Sequence, residues 1–206
     1  MDIQLHGANC ITMGTKQLRI TVDDMLADLG GKPVSKSGDV VLFTGAHASS
    51  VDGARIVIGQ PGEYEVSGVA VYGIAARSHL DEEGNKNAIM YKIVTEDMNI
   101  LVTGHIYPGL TDHQLESIGM VDVMFVPVGG NGYTLDGAGA LGLIKRIDPK
   151  LVIPTHYDDG KLTYPVPQQS LDQALKALGM EPKETVEKLR LKPSDLTTAT
   201  QLIVCK

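Results

Sequence analysis

Tryptophan is absent from this chain, and phenylalanine occurs only twice. A core for 206 residues must therefore rest on Val, Ile, Leu, Met and Ala, and a hydrophobic content of 43% is enough to build one sizeable core. Basic residues are also scarce: 18 Lys and Arg stand against 25 Asp and Glu, for a net charge of −7. A general nucleic-acid binder or a binder of anionic membranes needs a basic face, so neither class of partner is expected. No apolar run approaches the roughly 18 residues that would span a bilayer. The segment Met1-Asp2-Ile3-Gln4-Leu5-His6 lacks a basic stretch and a long apolar run, so no signal peptide is expected. The two cysteines, Cys10 and Cys205, lie near opposite ends without metal-ligand spacing. Reduced thiols and a cytoplasmic location follow as the simplest expectation.

The first half of the chain patterns as short strands. Gln17 to Val22 alternates as a half-buried strand does, Asp39 to Phe43 is a buried run, and Arg55 to Ile58 is short and β-branched. Val66 to Ile74 follows a Ser67-Gly68 turn, and Ala88–Thr95 with Asn99–Thr103 predicts a hairpin. Helices come later. Thr111-Asp112-His113-Gln114 is a capping box that starts one ending near Gly119; Asp136 caps a second through Ile147; and Gln168 to Leu178 carries the apolar stripe of a third. Val121–Val128, Leu151–Ile153 and Leu202–Val204 are strand-like. Strands first, then strand–helix alternation, without a linker-like stretch, predict one mixed domain over residues 1–206.

The stretch Phe43-Thr44-Gly45-Ala46-His47-Ala48-Ser49-Ser50 follows a buried strand. Further on stand Gln60-Pro61-Gly62-Glu63-Tyr64-Glu65-Val66, Leu110-Thr111-Asp112-His113, Pro127-Val128-Gly129-Gly130 and Val152-Ile153-Pro154-Thr155-His156-Tyr157. In this order the motifs resemble the metallo-β-lactamase superfamily, in particular its stand-alone zinc-dependent hydrolases. The resemblance covers nearly the whole chain. It implies a four-layer αββα sandwich and a hydrolase using two metal ions to make hydroxide available near neutral pH.

Carried over position by position, the resemblance implies a depleted ligand set. The Thr-His-x-His-x-Asp-His cluster keeps His47 but has Gly45, Ser49 and Ser50 at its other ligand positions. The later loop histidine falls near Ser78, with His79 one residue away. The bridging aspartate is His105, after Gly104, and the last histidine is His156. Asp23 matches the acidic residue that organises the cluster from behind its ligands. Glycine offers no ligand, serine a weak one, and a histidine at 105 removes the negative charge that lets two dications sit close together.

Two readings of the survivors remain open. His47, His105 and His156 together would match the three-imidazole set of an open mononuclear zinc site. Alternatively, they are remnants in a hydrogen-bonded pocket, with at most one zinc ion bound and no other cofactor. His79, in the polar loop 78–83, is expected to be solvated, and Gly129–Gly132 is expected to be a tight strand-to-helix turn. The preferred function is a catalytically attenuated or inactive relative of metal-dependent hydrolases whose cleft takes a small-molecule ligand. The alternatives are a hydrolase with a rebuilt single-zinc site and a homo-oligomeric structural subunit with a vestigial cleft.

Overall fold

The computed structural model describes residues 1–45, 50–95 and 97–206. Strands β1 (Asp2–Leu5), β2 (Ile11–Gly14), β3 (Arg19–Val22), β4 (Val40–Leu42) and β5 (Ile56–Ile58) come first. They are followed by β6 (Gly62–Val66), β7 (Val69–Ala76), β8 (Ala88–Val94) and β9 (Asn99–Val102). The second half runs α1 (Asp112–Ile118), β10 (Val123–Pro127), α2 (Gly137–Ile147), β11 (Leu151–Thr155), α3 (Leu171–Leu178), β12 (Glu184–Val186), β13 (Leu189–Arg190) and β14 (Gln201–Cys205).

One sheet has the order β13-β1-β2-β3-β4-β5, the other β12-β14-β11-β10-β9-β8-β7-β6. With the three helices they make the αββα sandwich expected from the order of motifs. Burial follows from position in these layers. Every residue of β10 and β11 is buried, as parallel strands covered on both faces must be. The edge strand β6 instead carries exposed Glu63 and Glu65, charges that discourage pairing with another chain.

The core joins both sheets: Ile3, Met13 and Leu42 from one meet Met90, Leu101 and Phe125 from the other. In the absence of Trp, its largest fully buried side chain is Tyr91 on β8. The Tyr91 hydroxyl lies 2.9 Å from the Phe43 carbonyl and 3.0 Å from that of Ile58, so it reaches the ends of β4 and β5 in the opposite sheet.

The helix caps form as their sequences direct. Thr111 and Gln114 close a reciprocal box at α1, and Asp136 accepts from Gly139 N at 2.7 Å at α2. The third helix starts later than its apolar stripe suggests. Ser170 and Gln173 make its capping box, and Gln168 is buried outside it, bonded elsewhere. The pairing of β1 with β2 and the strands β12 and β13 go beyond what the pattern predicts: β12 and β13 have three and two residues, too few for a periodicity to register. The β8–β9 hairpin is as expected. Cys10 and Cys205 are buried free thiols. Among the described residues no helix is long and apolar enough to cross a membrane.

Two sets of parallel strands matter for function. β3, β4 and β5 run parallel in one sheet, and β9, β10, β11 and β14 in the other. The residues that follow β3, β4, β9 and β11 are Asp23, Phe43-Thr44, Thr103-Gly104-His105 and His156.

The inter-sheet role of Tyr91 has a direct test. Tyr91→Phe removes the buried hydroxyl without changing the ring, and a loss of about 1–2 kcal/mol is expected in urea unfolding. An unchanged midpoint would show that the hydroxyl does not tie the sheets together.

Candidate functional site

The carboxyl ends of parallel strands are where ligand sites form in α/β sheets, because the backbone there leaves the ladder and the loops diverge. Here both sheets bring such ends to one cavity of about 570 Å³. Asp23 and Thr44 reach it from one sheet, His105 and His156 from the other, and Tyr133 and Tyr164 from later loops. The sheets bond through their backbones beside it: Ile89 N donates to Thr44 O, and His156 N to Ala8 O, each at 2.8 Å. Three residues on the cavity adopt the left-handed region without being glycine: Ala8 (φ 47°), Asp23 (φ 47°) and His156 (φ 57°). Each such residue costs on the order of 1–3 kcal/mol, which the surrounding bonds must offset.

The two histidines pack edge to face, with ring centroids 4.6 Å apart and planes at 88°. Tyr133 stacks edge-on against His105 at 5.3 Å, and Tyr164 lies 5.2 Å from His156. The tautomer of His156 follows from its neighbour. Gln168 Nε2 donates to the Val166 carbonyl at 2.6 Å, so its Oε1 is left to accept from His156 Nδ1 at 3.1 Å. His156 Nε2 then carries the lone pair. A side chain at Gly129 would collide with both Gln168 Oε1 and the His156 carbonyl, so this contact requires glycine there. The neighbouring Tyr133 carbonyl opposes the fall in the His105 pKa. Burial is the main reason both rings stay neutral: it lowers His105 to about 4 and His156 to about 3, and for His156 the neighbouring His105 adds to the effect.

Asp23 acts on the loop after β4. Thr44 N donates to Asp23 Oδ1 at 2.7 Å and Thr44 Oγ1 to Oδ2 at 2.6 Å. Desolvation nonetheless raises Asp23 to about 6, with the two Thr44 bonds opposing the rise. A side chain on Gly104 would strike Thr44, so the glycine before His105 lets the two sheets close over the cavity.

Of the ligand positions read from sequence, the structure brings His105 and His156 together. His47 lies outside the described residues, as do Ala46, Ala48 and Ser49. Gly45 and Ser78 line the cavity, and Ser50 is exposed. His79 corrects the expectation of a solvated loop residue. It is half-buried: its backbone N donates to His105 O at 2.7 Å, and Nδ1 is buried without a partner. The reason is that 77–79 runs beside 105–107, with Ser78 bridged to Ile106 and Tyr107 N bonded to Arg77 O. The acidic pair Asp158-Asp159 caps its own turn, donating nothing to the cavity. Sequence reading missed Asn9, Tyr133, Tyr164 and Gln168. The first three sit in loops with no motif of their own, and Gln168 was hidden inside an apparent helix.

A two-metal centre does not fit this donor set. Among the described residues no three His, Cys, Asp or Glu side chains are grouped to hold a metal ion. Zinc takes about four ligands, and His105 and His156 supply two. Both oxygens of Asp23 are turned to Thr44.

Residues 2–156 match the model of a family described as the beta-lactamase superfamily domain. A UPF0173 metal-dependent hydrolase of Enterococcus faecalis is 27% identical over 163 residues, covering 77% of this chain; this chain spans 59% of that relative's length. A Thermotoga maritima member of the metallo-β-lactamase superfamily has the same fold, with a TM-score of 0.77 at 24% identity over 100% of this chain and 98% of its own. A metallo hydrolase of Ignicoccus hospitalis aligns with a TM-score of 0.61 at 17% identity, covering 86% of this chain and 90% of its own.

The buried groups set a pH response. His105 and His156 fall from an ordinary 6.5 to about 4 and about 3, so the stability they contribute is complete above pH 6.5 and is lost as pH falls through the folded values. Asp23 works the other way: raised from 3.8 to about 6, it contributes below 3.8 and loses that contribution as pH rises through about 6. Between about pH 6 and 4, two imidazoles outweigh one carboxylate, and unfolding takes up about one net proton. From these three groups stability should therefore fall on acidification in that window, by roughly 1 kcal/mol per pH unit. Asp23→Asn removes the opposing group and should steepen the slope in urea unfolding from pH 6 to 4.5; a flatter slope would contradict the assignment.

Proposed function

The chain belongs to the beta-lactamase superfamily domain family, and from that premise we propose that it is a relative of metal-dependent hydrolases whose two-metal chemistry is attenuated or lost and whose cleft holds a small-molecule ligand. The observation that carries this reading is the edge-to-face pair of neutral imidazoles, His105 on His156. Two dications held close together need a shared negative charge between them. At the position that the family resemblance gives to that bridging carboxylate stands an uncharged ring. Loss of a single outer partner of a metal ligand costs about 10–100-fold in affinity or activity. Replacing several direct ligands and the bridging charge costs more.

What remains suits a binding site. The cavity is walled largely by aromatic and aliphatic side chains, and among its few polar groups His156 is oriented by Gln168 and Asp23 by Thr44. We read residues 1–206 as one domain acting in the cytoplasm.

A second reading is favoured by one detail. His156 donates Nδ1–H to an amide oxygen and keeps its Nε2 lone pair, which is how ligating histidines are commonly oriented from behind. With His47 as a third ligand, the set would hold one zinc, whose chemistry is to make a bound water acidic near neutral pH.

Metal analysis of protein purified without chelator or affinity tag, with anomalous scattering from crystals, separates these readings. At most one zinc per chain is expected, with no chelator-sensitive turnover of ester, lactone or phosphodiester substrates. Two fully occupied metals in the cleft, with turnover abolished by chelator, would overturn the proposal.

A further inference from the structure

The cavity's walls also restrict what can fill it. Its volume of about 570 Å³ is within the roughly 300–1,000 Å³ typical of small-molecule sites. Among the described residues lining it there is no Lys or Arg, whereas two carboxylates, Asp23 and Asp28, are present. An anion entering this space would lose its hydration, find no cation among these residues and face two acidic side chains, an arrangement that disfavours binding.

Met25, Phe43, Leu80, Tyr133 and Tyr164 make the walls apolar and aromatic. Leu80 is informative because it is 65% exposed yet sits on a tied loop. The adjacent Asp81 accepts from Ser78 N at 2.9 Å, Asn87 N at 3.1 Å and Asn87 Nδ2 at 3.0 Å, and the Arg77 guanidinium donates to the Asp81 carbonyl at 2.7 and 2.9 Å. A large aliphatic side chain is thus held in solvent beside the cavity, where it has apolar contact to gain from an occupant.

The polar groups complete the description. His156, with Nδ1 turned to Gln168 Oε1, keeps Nε2 as an acceptor, and His105 brings a second imidazole to the same wall. Asn9, only 3% exposed, also lines the cavity. Its Oδ1 accepts from Thr155 Oγ1 at 2.7 Å, and its Nδ2 is buried with no partner. An unmade bond of this kind is costly, and an acceptor on a ligand would satisfy it.

We infer that this cavity binds a small uncharged aromatic molecule bearing a hydroxyl or carboxamide, which offers both a donor to the imidazoles and an acceptor to Asn9, and that it discriminates against anions of the same shape. The inference rests on the reading of the cleft as a ligand site without a two-metal centre.

The test uses the full chain, confirmed metal-free by elemental analysis, titrated by calorimetry or ligand-observed NMR with benzamide, phenol, toluene, benzoate and phenyl phosphate. Benzamide or phenol should bind at least about 10-fold more tightly than benzoate or phenyl phosphate. His105→Phe should weaken benzamide and phenol by about 10-fold relative to toluene, since it keeps an aromatic ring and removes the imidazole nitrogens. Leu80→Lys alters an exposed residue and so leaves the core intact; by placing a cation at the cavity it should narrow the preference for benzamide over benzoate several-fold. Equal binding of benzoate and benzamide, no binding of either neutral ligand, or insensitivity to Leu80→Lys would overturn the inference and leave the cleft reading in place. If instead phenyl phosphate binds, and only after two equivalents of zinc are taken up, the underlying reading fails.

Discussion

The cleft depends on backbone hydrogen bonds that cross from one sheet to the other where their parallel strands end. Ile89 N reaches Thr44 O, and His156 N reaches Ala8 O. Main-chain groups leaving a ladder must find partners, and here they find them in the opposite layer rather than in water. The crossing has consequences for the residues involved. Ala8 and His156 take up left-handed conformations that non-glycine residues ordinarily avoid. Gly104 and Gly129 have no room for a side chain, because Thr44 presses on the first and Gln168 with His156 on the second. The site is thus set by packing between sheets, with Tyr133 and Tyr164 brought to it from later loops.

Within that frame burial dominates over charge. Both imidazoles are held neutral mainly by desolvation, and the half-buried carboxyl of Asp23 is raised toward neutrality for the same reason. A working two-metal centre has the opposite character, with clustered carboxylates and imidazoles made tolerable by the charge of the ions. Here an edge-to-face contact of two imidazoles, His105 on His156, occupies that part of the cavity.

Much of this was legible in the sequence, and the exceptions have physical causes. The αββα architecture was implied by the family resemblance, while the capping box at Thr111 and the cap at Asp136 mark two helix starts by local chemistry. Short strands such as β13, two residues long, carry no readable period. The third helix was extended back to Gln168 because its apolar stripe was read without its own capping box at Ser170. His105 and His156 could be picked out because strand ends and the family pattern coincide there. Asn9, Tyr133 and Tyr164 could not, since they enter from loops far apart in the chain, and their proximity exists only after the sheets pack. His79 was misjudged for the same reason: its polar neighbours suggested solvent, but its loop lies along residues 105–107.

The central claim is that the cleft is built around two neutral, singly oriented imidazoles. Imidazole ¹⁵N NMR of the metal-free protein measures this directly. At pH 6 the account predicts that His105 and His156 are both uncharged, each a single tautomer, with His156 protonated on Nδ1. A charged ring at that pH, or a mixture of tautomers at His156, would contradict it.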